Sequence, residues 1–240
     1  MEKISETKLD QSPETRKASW ITIRFIIALV LFLATLFVFV SITDEIVLEN
    51  ENGFDQYISK AILPFVSPFA TSLMKSFTFF GSEMFLFPAY LLLIIFYIFR
   101  KKSRLALDIA MIGLSSAGIL FLFKDIFKRH RPLDPIISNV TGFSFPSGHS
   151  FSSFTFFGLL IYIIWRTNIR KSFKILIAFF LFVFAATIAF SRVYLRVHYP
   201  SDVVAGFCLS IVWLMISLWI LHKADRGIVA AKKENKKSAG

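Results

Sequence analysis

Cysteine is nearly absent from this sequence, and charge is scarce. The single Cys208 excludes a disulfide framework and a cysteine metal site, and we expect it to be a small packing residue. Only 18% of the 240 residues are charged, whereas 55% are hydrophobic and 30 are phenylalanine. A soluble domain of this length normally carries more charge and far fewer aromatic residues. This composition disfavours a soluble globular protein.

Long uncharged runs indicate membrane-spanning helices. Phe25–Thr43 and Val203–Leu221 contain no charge, and each is long enough to cross about 30 Å of hydrocarbon. Four shorter apolar runs are further candidate spans: Met84–Phe99, Leu105–Phe123, Ser150–Trp165 and Ile175–Phe190. Asp108, near one end of its run, can reach the membrane interface or pair with Arg104 one turn earlier. We predict an all-α, polytopic membrane protein with six transmembrane helices.

The six spans leave no room for a separate soluble domain, and the sequence has no internal repeat. We predict one six-span domain over residues 20–222. Residues 1–19 are polar and are expected to form a disordered cytoplasmic N-terminus. Residues 223–240 are expected to form a basic cytoplasmic tail, disordered over its last part, KKENKKSAG (232–240).

Basic residues predict the orientation of the chain. Placing the N-terminus in the cytoplasm puts most of the 27 lysines and arginines in inner segments. The charge of +11 is therefore a topology signal, and it does not require nucleic acid as a partner. Most of the outer basic residues fall in two short segments, 124–131 and 192–196. An anion bound on the outer face is the simplest cause of this exception.

The stretch KDIFKRHRP, Lys124 to Pro132, holds the first of these clusters. A helix continuing the third span places Lys124 and Arg131 on one face with Lys128 between them. Pro132 would end that helix because its ring and missing N–H prevent continuation. A solvated basic helix end has the same composition.

The stretch FPSGHS, Phe145 to Ser150, lies directly before the fourth span. Ser147 suits a helix N-cap, and Gly148 lets the backbone approach a ligand closely. The free N–H groups of a helix start bind phosphate well, and His149 would project from that first turn. A loop that only caps a helix is the alternative.

The stretch SRVYLRVHYPSD, Ser191 to Asp202, joins the last two spans. Pro200 fits the first turn of a helix, and Asp202 lies four residues after His198, within reach of its ring. A carboxylate on one imidazole nitrogen fixes the tautomer and makes the other nitrogen a better nucleophile or base. Asp202 can also stabilise the helix N-terminus.

In the predicted topology, all three stretches lie on the outer face at one depth. Together they supply cations, backbone donors, one nucleophile and one proton donor, which are the parts of a phosphoryl-transfer site. The side chains concerned are Lys124, Arg131, Ser147, His149, Arg192, His198 and Asp202.

The three stretches resemble the signature motifs of the type 2 phosphatidic acid phosphatase (PAP2) superfamily. Its members are integral membrane lipid phosphatases related to vanadium haloperoxidases and some soluble acid phosphatases. The matching residues are Lys124-x6-Arg131-Pro132, Pro146-Ser147-Gly148-His149 and Ser191-Arg192-x5-His198-x3-Asp202. Every signature position is present and in order over residues 124–202. The resemblance implies a PAP2/haloperoxidase-like helical bundle.

The resemblance also implies a role for each matched residue. His198 would attack phosphorus to give a phosphohistidine, with Asp202 orienting its ring. His149 would protonate the leaving alkoxide and then help to activate water. The phosphate oxygens would be bound by Lys124, Arg131, Ser147, Arg192 and the Gly148 backbone. No metal or other cofactor is implied, and His130 and His222 match no motif position.

The implied activity is hydrolysis of a lipid phosphomonoester or diphosphate on the outer membrane face. Candidate substrates are phosphatidic acid, phosphatidylglycerol phosphate, undecaprenyl diphosphate and a lipid A phosphate. The expected partners are this lipid substrate and the surrounding membrane lipids, without nucleic acid. Residues 54–80 are expected to form one or two interfacial amphipathic helices, either beside the substrate route or packed over the bundle.

Three other functions stay open. A vanadate-dependent haloperoxidase would use the same residues, although its small soluble substrate would not need membrane spans. A non-enzymatic anion transporter would ordinarily place its charges near the bilayer midplane. Metal-dependent hydrolysis through His149, His198 and Asp202 would have a poor ligand set, because few other carboxylates lie near the motifs.

Overall fold

The computed structural model describes residues 13–44, 53–138 and 140–238, and it contains no strand in these ranges. The prediction of an all-α protein is therefore confirmed for the described residues. A short 3₁₀ turn, Leu63–Phe65, follows α2. The helices are α1 (Pro13–Ile42), α2 (Gly53–Ile62), α3 (Pro68–Phe79), α4 (Glu83–Phe99), α5 (Ser103–Phe127), α6 (Gly148–Trp165), α7 (Lys171–Tyr194) and α8 (Pro200–Ser238).

Within these residues, five segments are long and apolar enough to cross a membrane. They are Pro68–Phe99, which joins α3 and α4, then Ser103–Phe127, Gly148–Trp165, Lys171–Tyr194 and Pro200–Ala224. Large apolar side chains such as Phe99, Phe121 and Phe180 are exposed on their outer surfaces. Such side chains suit contact with lipid tails rather than water. The chain is thus an integral membrane protein.

The first predicted span, Phe25–Thr43, falls in α1 and is not among these five segments. Its described apolar part, Ile26–Ile42, is shorter than the five candidates. Helix α1 begins at Pro13 and α8 runs to Ser238, so residues 13–19 and 232–238 are helical where the sequence predicts disorder. Residues 1–12 lie outside the described part of the chain.

Helix α6 lies at the centre of the bundle. It packs against α7 and α8, while α1 packs on α8 and α4 on α5. One apolar cluster near the start of α6 joins Phe39 of α1, Phe145, Phe151 and Leu209 of α8. Cys208 belongs to this cluster and is buried, as the sequence predicts. This packing fixes the start of α6 against the start of α8.

The helix boundaries at this end of the bundle follow local sequence signals. The Ser147 hydroxyl accepts a hydrogen bond from the Ser150 N–H, which confirms the predicted N-cap of α6. Pro200 is the first residue of α8, where its missing N–H costs nothing. At the opposite end of α5, Arg104 pairs with Asp108 at 3.4 Å, also as predicted.

The predicted helix from the third span to Pro132 is wrong. Helix α5 ends at Phe127, and Lys128 takes a left-handed conformation with φ of 46°. Lys124 and Arg131 therefore do not share a helix face. Lys128 is exposed and lies 3.8 Å from Asp125, also an exposed residue. Arg131 instead reaches the site from an irregular loop, residues 128–147.

Residues 54–80 form two helices, α2 and α3, separated near Pro64 and Pro68. Ser67 caps α3 by accepting a hydrogen bond from the Ala70 N–H. Helix α3 packs on α7, and α2 lies against α8. Both helices therefore lie close to the segments that carry the sequence motifs.

Candidate active site

His198 and Asp202 form a buried pair at the start of α8. The His198 Nδ1 lies 3.4 Å from the Asp202 Oδ2. The same Oδ2 accepts hydrogen bonds from the Ser144 hydroxyl and, at 2.9 Å, from the Tyr199 N–H. Ser144 Oγ also lies 3.3 Å from His198 Nδ1. One turn of helix thus holds the carboxylate against the imidazole, as the four-residue spacing predicts.

The hydrogen bonds of His198 fix its tautomer. Arg131 Nη1 lies 3.1 Å from His198 Nε2, and a guanidinium can only donate. The Nε2 must therefore be the acceptor, and the proton lies on Nδ1. Nδ1–H then points to Ser144 and Asp202. A neutral imidazole with an unprotonated Nε2 is the form that can act as a nucleophile.

Burial keeps this imidazole uncharged. The His198 side chain is 2% exposed. Burial lowers the pKa of His198 to about 4, although Asp202 opposes the shift and Arg131 and Arg192 add to it. His198 is therefore neutral at physiological pH.

The loop of residues 128–147 carries Arg131 to the site. Arg131 donates to the carbonyl oxygens of Val197 at 2.8 Å and Gly142 at 2.9 Å. Burial lowers the pKa of Arg131, and the Asp202 carboxylate opposes this effect. Lys124, from the end of α5, donates to the Phe143 carbonyl at 3.0 Å. The loop backbone therefore holds Arg131 beside His198, and Arg131 Nη2 shares the Phe143 carbonyl with Lys124.

The start of α6 lies next to the same cluster of side chains. The Ser147 N–H donates to the Asp202 carbonyl at 3.0 Å, which joins α6 to α8. A Cβ at Gly148 would lie 3.1 Å from Leu120 and 4.0 Å from Lys124 Nζ, so the Gly148 backbone lies beside this lysine. His149 lies within the electrostatic reach of Arg192, His198, Lys124 and Arg131. The three motifs therefore converge.

Arg192 completes the set from the end of α7. Its guanidinium is buried, and Nη1 donates to the Thr78 hydroxyl of α3 at 2.6 Å. Arg192 Nε has no hydrogen-bond partner within the described part of the chain. A buried, unpartnered N–H on a cation is an available donor for an anion.

Three further residues, Arg129, Asp55 and Ser144, are bonded to this cluster directly or through one another. The sequence analysis assigns none of them a role. Arg129 Nη1 donates to Asp202 Oδ1 at 2.6 Å, and its Nη2 donates to Asp55 Oδ2 at 2.8 Å. Ser144 contacts both members of the His198–Asp202 pair. Arg129 lies inside the KDIFKRHRP stretch, but no sequence signal links it to Asp55, which is 74 positions earlier.

The two remaining histidines lie apart from this cluster, as expected. His130 and His222 are both exposed. His222 Nε2 lies 3.2 Å from the Tyr162 hydroxyl, near the opposite end of α6. Across the described residues, no group of three or more histidine, cysteine or acidic side chains could hold a metal ion.

Known proteins that are similar in sequence to this chain are named as phosphatases of lipids. Residues 105–226 match the model of the PAP2 superfamily. The chain is 27% identical over 159 residues to phosphatidylglycerophosphatase B of Bacillus subtilis, covering 66% of this chain and 78% of the relative. It is 37% identical over 82 residues to lipid A 4'-phosphatase of Bacteroides thetaiotaomicron, covering 34% and 33% respectively.

A solved structure supports the same assignment. The crystal structure of a transmembrane PAP2 type phosphatidylglycerolphosphate phosphatase from Bacillus subtilis matches with a TM-score of 0.69 and 25% identity. The match covers 82% of this chain and 96% of that protein. The family match spans the segments from α5 to α8 that bring Lys124, His149 and His198 together. With this fold and these motifs, the chain belongs to the PAP2 superfamily and is a membrane phosphatase.

Proposed function

We propose that the protein hydrolyses a lipid phosphate through a phosphohistidine formed on His198. The observation that carries the proposal is the unprotonated His198 Nε2, which faces Arg131 while Nδ1–H faces Asp202. In the proposed reaction, the Nε2 lone pair attacks phosphorus, and the bond from phosphorus to the lipid oxygen breaks. Asp202 stabilises the positive charge that develops on the imidazole.

His149 is proposed as the proton donor and acceptor. It would give a proton to the departing lipid oxygen in the first step. In the second step it would take a proton from the water that attacks the phosphohistidine, releasing inorganic phosphate and regenerating His198. Its position in the first turn of α6, near Arg192 and His198, supports this assignment.

Cations and backbone donors are proposed to bind the phosphate oxygens. Arg131 and Arg192 lie near both histidines and Lys124 lies near His149. Arg192 Nε is an available donor. Ser147 and the Gly148 N–H would add hydrogen-bond donors at the start of α6, where the helix dipole has its positive end. An arriving phosphate would replace His198 Nε2 as the partner of Arg131 Nη1. These groups would supply the charge that a metal ion supplies in other phosphoryl transfers, so neither a metal nor another cofactor is proposed.

The proposed topology has six spans, with α1 as the first, and with both termini in the cytoplasm. The distribution of lysine and arginine supports this orientation, which places the site on the non-cytoplasmic face of the cell membrane. Lipid headgroups lie at that depth, so the acyl or prenyl chains can remain in the bilayer during hydrolysis. The four candidate lipids named above remain the proposed substrates, and phosphatidylglycerol phosphate comes first because the relative with the widest reported overlap is named for it.

The proposal predicts that His198→Ala abolishes phosphate release. The loss should be about a thousandfold or more in kcat, because removing a covalent nucleophile also removes its pathway. Purified protein in detergent would be assayed with each of the four lipids, with and without EDTA. Activity of the unaltered protein should persist in EDTA.

His222→Ala is the matched control, since His222 is an exposed histidine at the other end of the bundle. It should retain full activity. Near-normal phosphate release by His198→Ala would contradict the proposal. Loss of the wild-type activity on chelation would favour metal-dependent hydrolysis instead.

A further inference from the structure

Asp55 makes an unusual set of contacts for a residue outside the three motifs. Its side chain is 1% exposed, although it lies in α2, far from the motifs in sequence. Asp55 Oδ1 accepts from the Ser201 N–H at 2.8 Å, and Oδ2 accepts from the Ser201 hydroxyl at 2.7 Å. Burial of a carboxylate is costly unless its oxygens are fully bonded, so the contacts are specific.

Arg129 joins this carboxylate to the proposed nucleophile. Its guanidinium donates to Asp55 Oδ2 at 2.8 Å and to Asp202 Oδ1 at 2.6 Å. It also donates to the Ser201 hydroxyl at 2.8 Å and lies 4.1 Å from the centre of the Tyr199 ring. Burial alone would lower the pKa of Arg129, but Asp202 and Asp55 outweigh it and raise that pKa. Arg129 is therefore a permanent cation shared by two carboxylates.

The charges of this group act on His198 together with those of Arg131 and Arg192. Asp202 and Arg129 alone would sum to zero, which would weaken the field that stabilises a developing imidazolium. Asp55 returns the trio to a net charge of −1. The Asp55 contacts also hold the Ser201 backbone, next to Asp202, in the first turn of α8. Asp55 thus contributes to the net negative charge of the three side chains and to the position of Asp202.

We propose that Asp55 and Arg129 are positioning residues that hold Asp202 against His198 and preserve its negative charge there. Neither residue touches the substrate in this account. The inference rests on the proposed function of His198 and adds α2 to the parts of the protein that the reaction needs. Removing the pair should slow formation of the phosphohistidine and leave lipid binding nearly unchanged.

The test compares Asp55→Asn, which keeps the shape and removes the charge, with the unaltered protein. We expect kcat to fall by about 10- to 100-fold, the usual effect of losing a residue that orients a reacting group, while KM changes by less than about threefold. Rapid-quench measurements should place the loss in the rate of phosphoenzyme formation. Rates are expressed per folded enzyme, counted by the fraction of protein that elutes as a single monodisperse peak in detergent and unfolds cooperatively, so that poor folding does not imitate the effect.

Arg129→Lys gives a second, independent variant. It keeps the charge, but an ammonium cannot bridge two carboxylates and a hydroxyl in the geometry of a guanidinium. We expect a similar loss of kcat. The double variant should lose no more than about the larger single loss, because both residues act as one unit.

Asp134→Asn is the matched control, since it removes an exposed carboxylate that lies 3.5 Å from Arg196 at the same end of the bundle. It should keep normal kcat and KM. The inference is overturned if Asp55→Asn has a kcat per folded enzyme within about twofold of normal. Losses from the two single changes that multiply in the double variant would also overturn it. If His198→Ala stays active, the proposed function itself has failed, and that result is separate from these.

Discussion

His198 is buried among cations, yet its reaction requires an unprotonated nitrogen, and its lowered pKa reconciles the two. The ordinary pKa of histidine is about 6.5, and burial brings that of His198 to about 4. The groups that face it are Asp202 on α8, Arg131 on the loop, and Arg192 on α7. His149 on α6 faces it as well.

The lowered pKa of His198 can be tested by the pH dependence of kcat/KM. Because the folded pKa lies below the ordinary one, His198 stays neutral as pH falls from 7 to 5.5, so protonation of His198 should cause no loss of kcat/KM over that range. Below about pH 4 it should fall tenfold per pH unit. The profile would be measured with a short-chain lipid phosphate, corrected for the substrate's own titration, with samples returned to pH 7 to verify reversibility. An acid limb centred near pH 6.5 would contradict this account.

At the scale of helices, the close approach of α8 to the start of α6 assembles the site. A Cβ at Gly206 of α8 would lie 2.8 Å from the Ser147 carbonyl and 3.1 Å from the Phe151 nitrogen, both backbone atoms. A glycine at this position therefore lets the two helices come together. His149 and Ser147 lie on one helix, and His198 and Asp202 at the start of the other.

Gly206→Ala should separate the two helix starts. We expect destabilisation of about 1–3 kcal/mol from overpacking, together with a reduced kcat per folded enzyme. Gly118→Ala is the control, because Gly118 lies within α5 and a Cβ there meets nothing within 4 Å. That change should preserve activity and raise stability by about 0.5–1 kcal/mol. Thermal unfolding in detergent and kinetics would be compared, and equal behaviour of the two variants would contradict the role of this contact.

Local patterns explain which elements the sequence predicts correctly. Ser147 as a cap, Pro200 at a helix start, and the reach of Asp202 to His198 each depend on residues within one turn of each other. The end of α5 is different. Pro132 suggests a later stop, whereas the left-handed conformation of Lys128 ends α5 at Phe127.

Long-range pairing explains what the sequence does not predict. Asp55 meets Ser201 across 146 positions and Arg129 across 74, and only the folded bundle brings these residues together. The sequence analysis assigns Asp55 no role, because Asp55 lies outside the three motifs. Thr78, which bonds Arg192, is missed for the same reason, since α3 carries no motif.

At the scale of the whole molecule, the orientation in the membrane can be tested with single cysteines. In a Cys208→Ser background, Leu133→Cys introduces a thiol at a position that is 95% exposed in the loop before α6. Asn168→Cys places one in the exposed turn between α6 and α7. In intact cells, a membrane-impermeant maleimide should label only the first, and permeabilisation should be needed for the second. The reverse pattern would contradict an outward-facing site.

The phosphoenzyme itself gives the most direct test of the central claim. Protein mixed with a lipid phosphate carrying ³²P in its headgroup would be quenched within milliseconds, digested and sequenced by mass spectrometry. The account predicts a label that is stable in base, labile in acid and located on His198. A label on any other residue, or phosphate release with no labelled protein at any quench time, would contradict it.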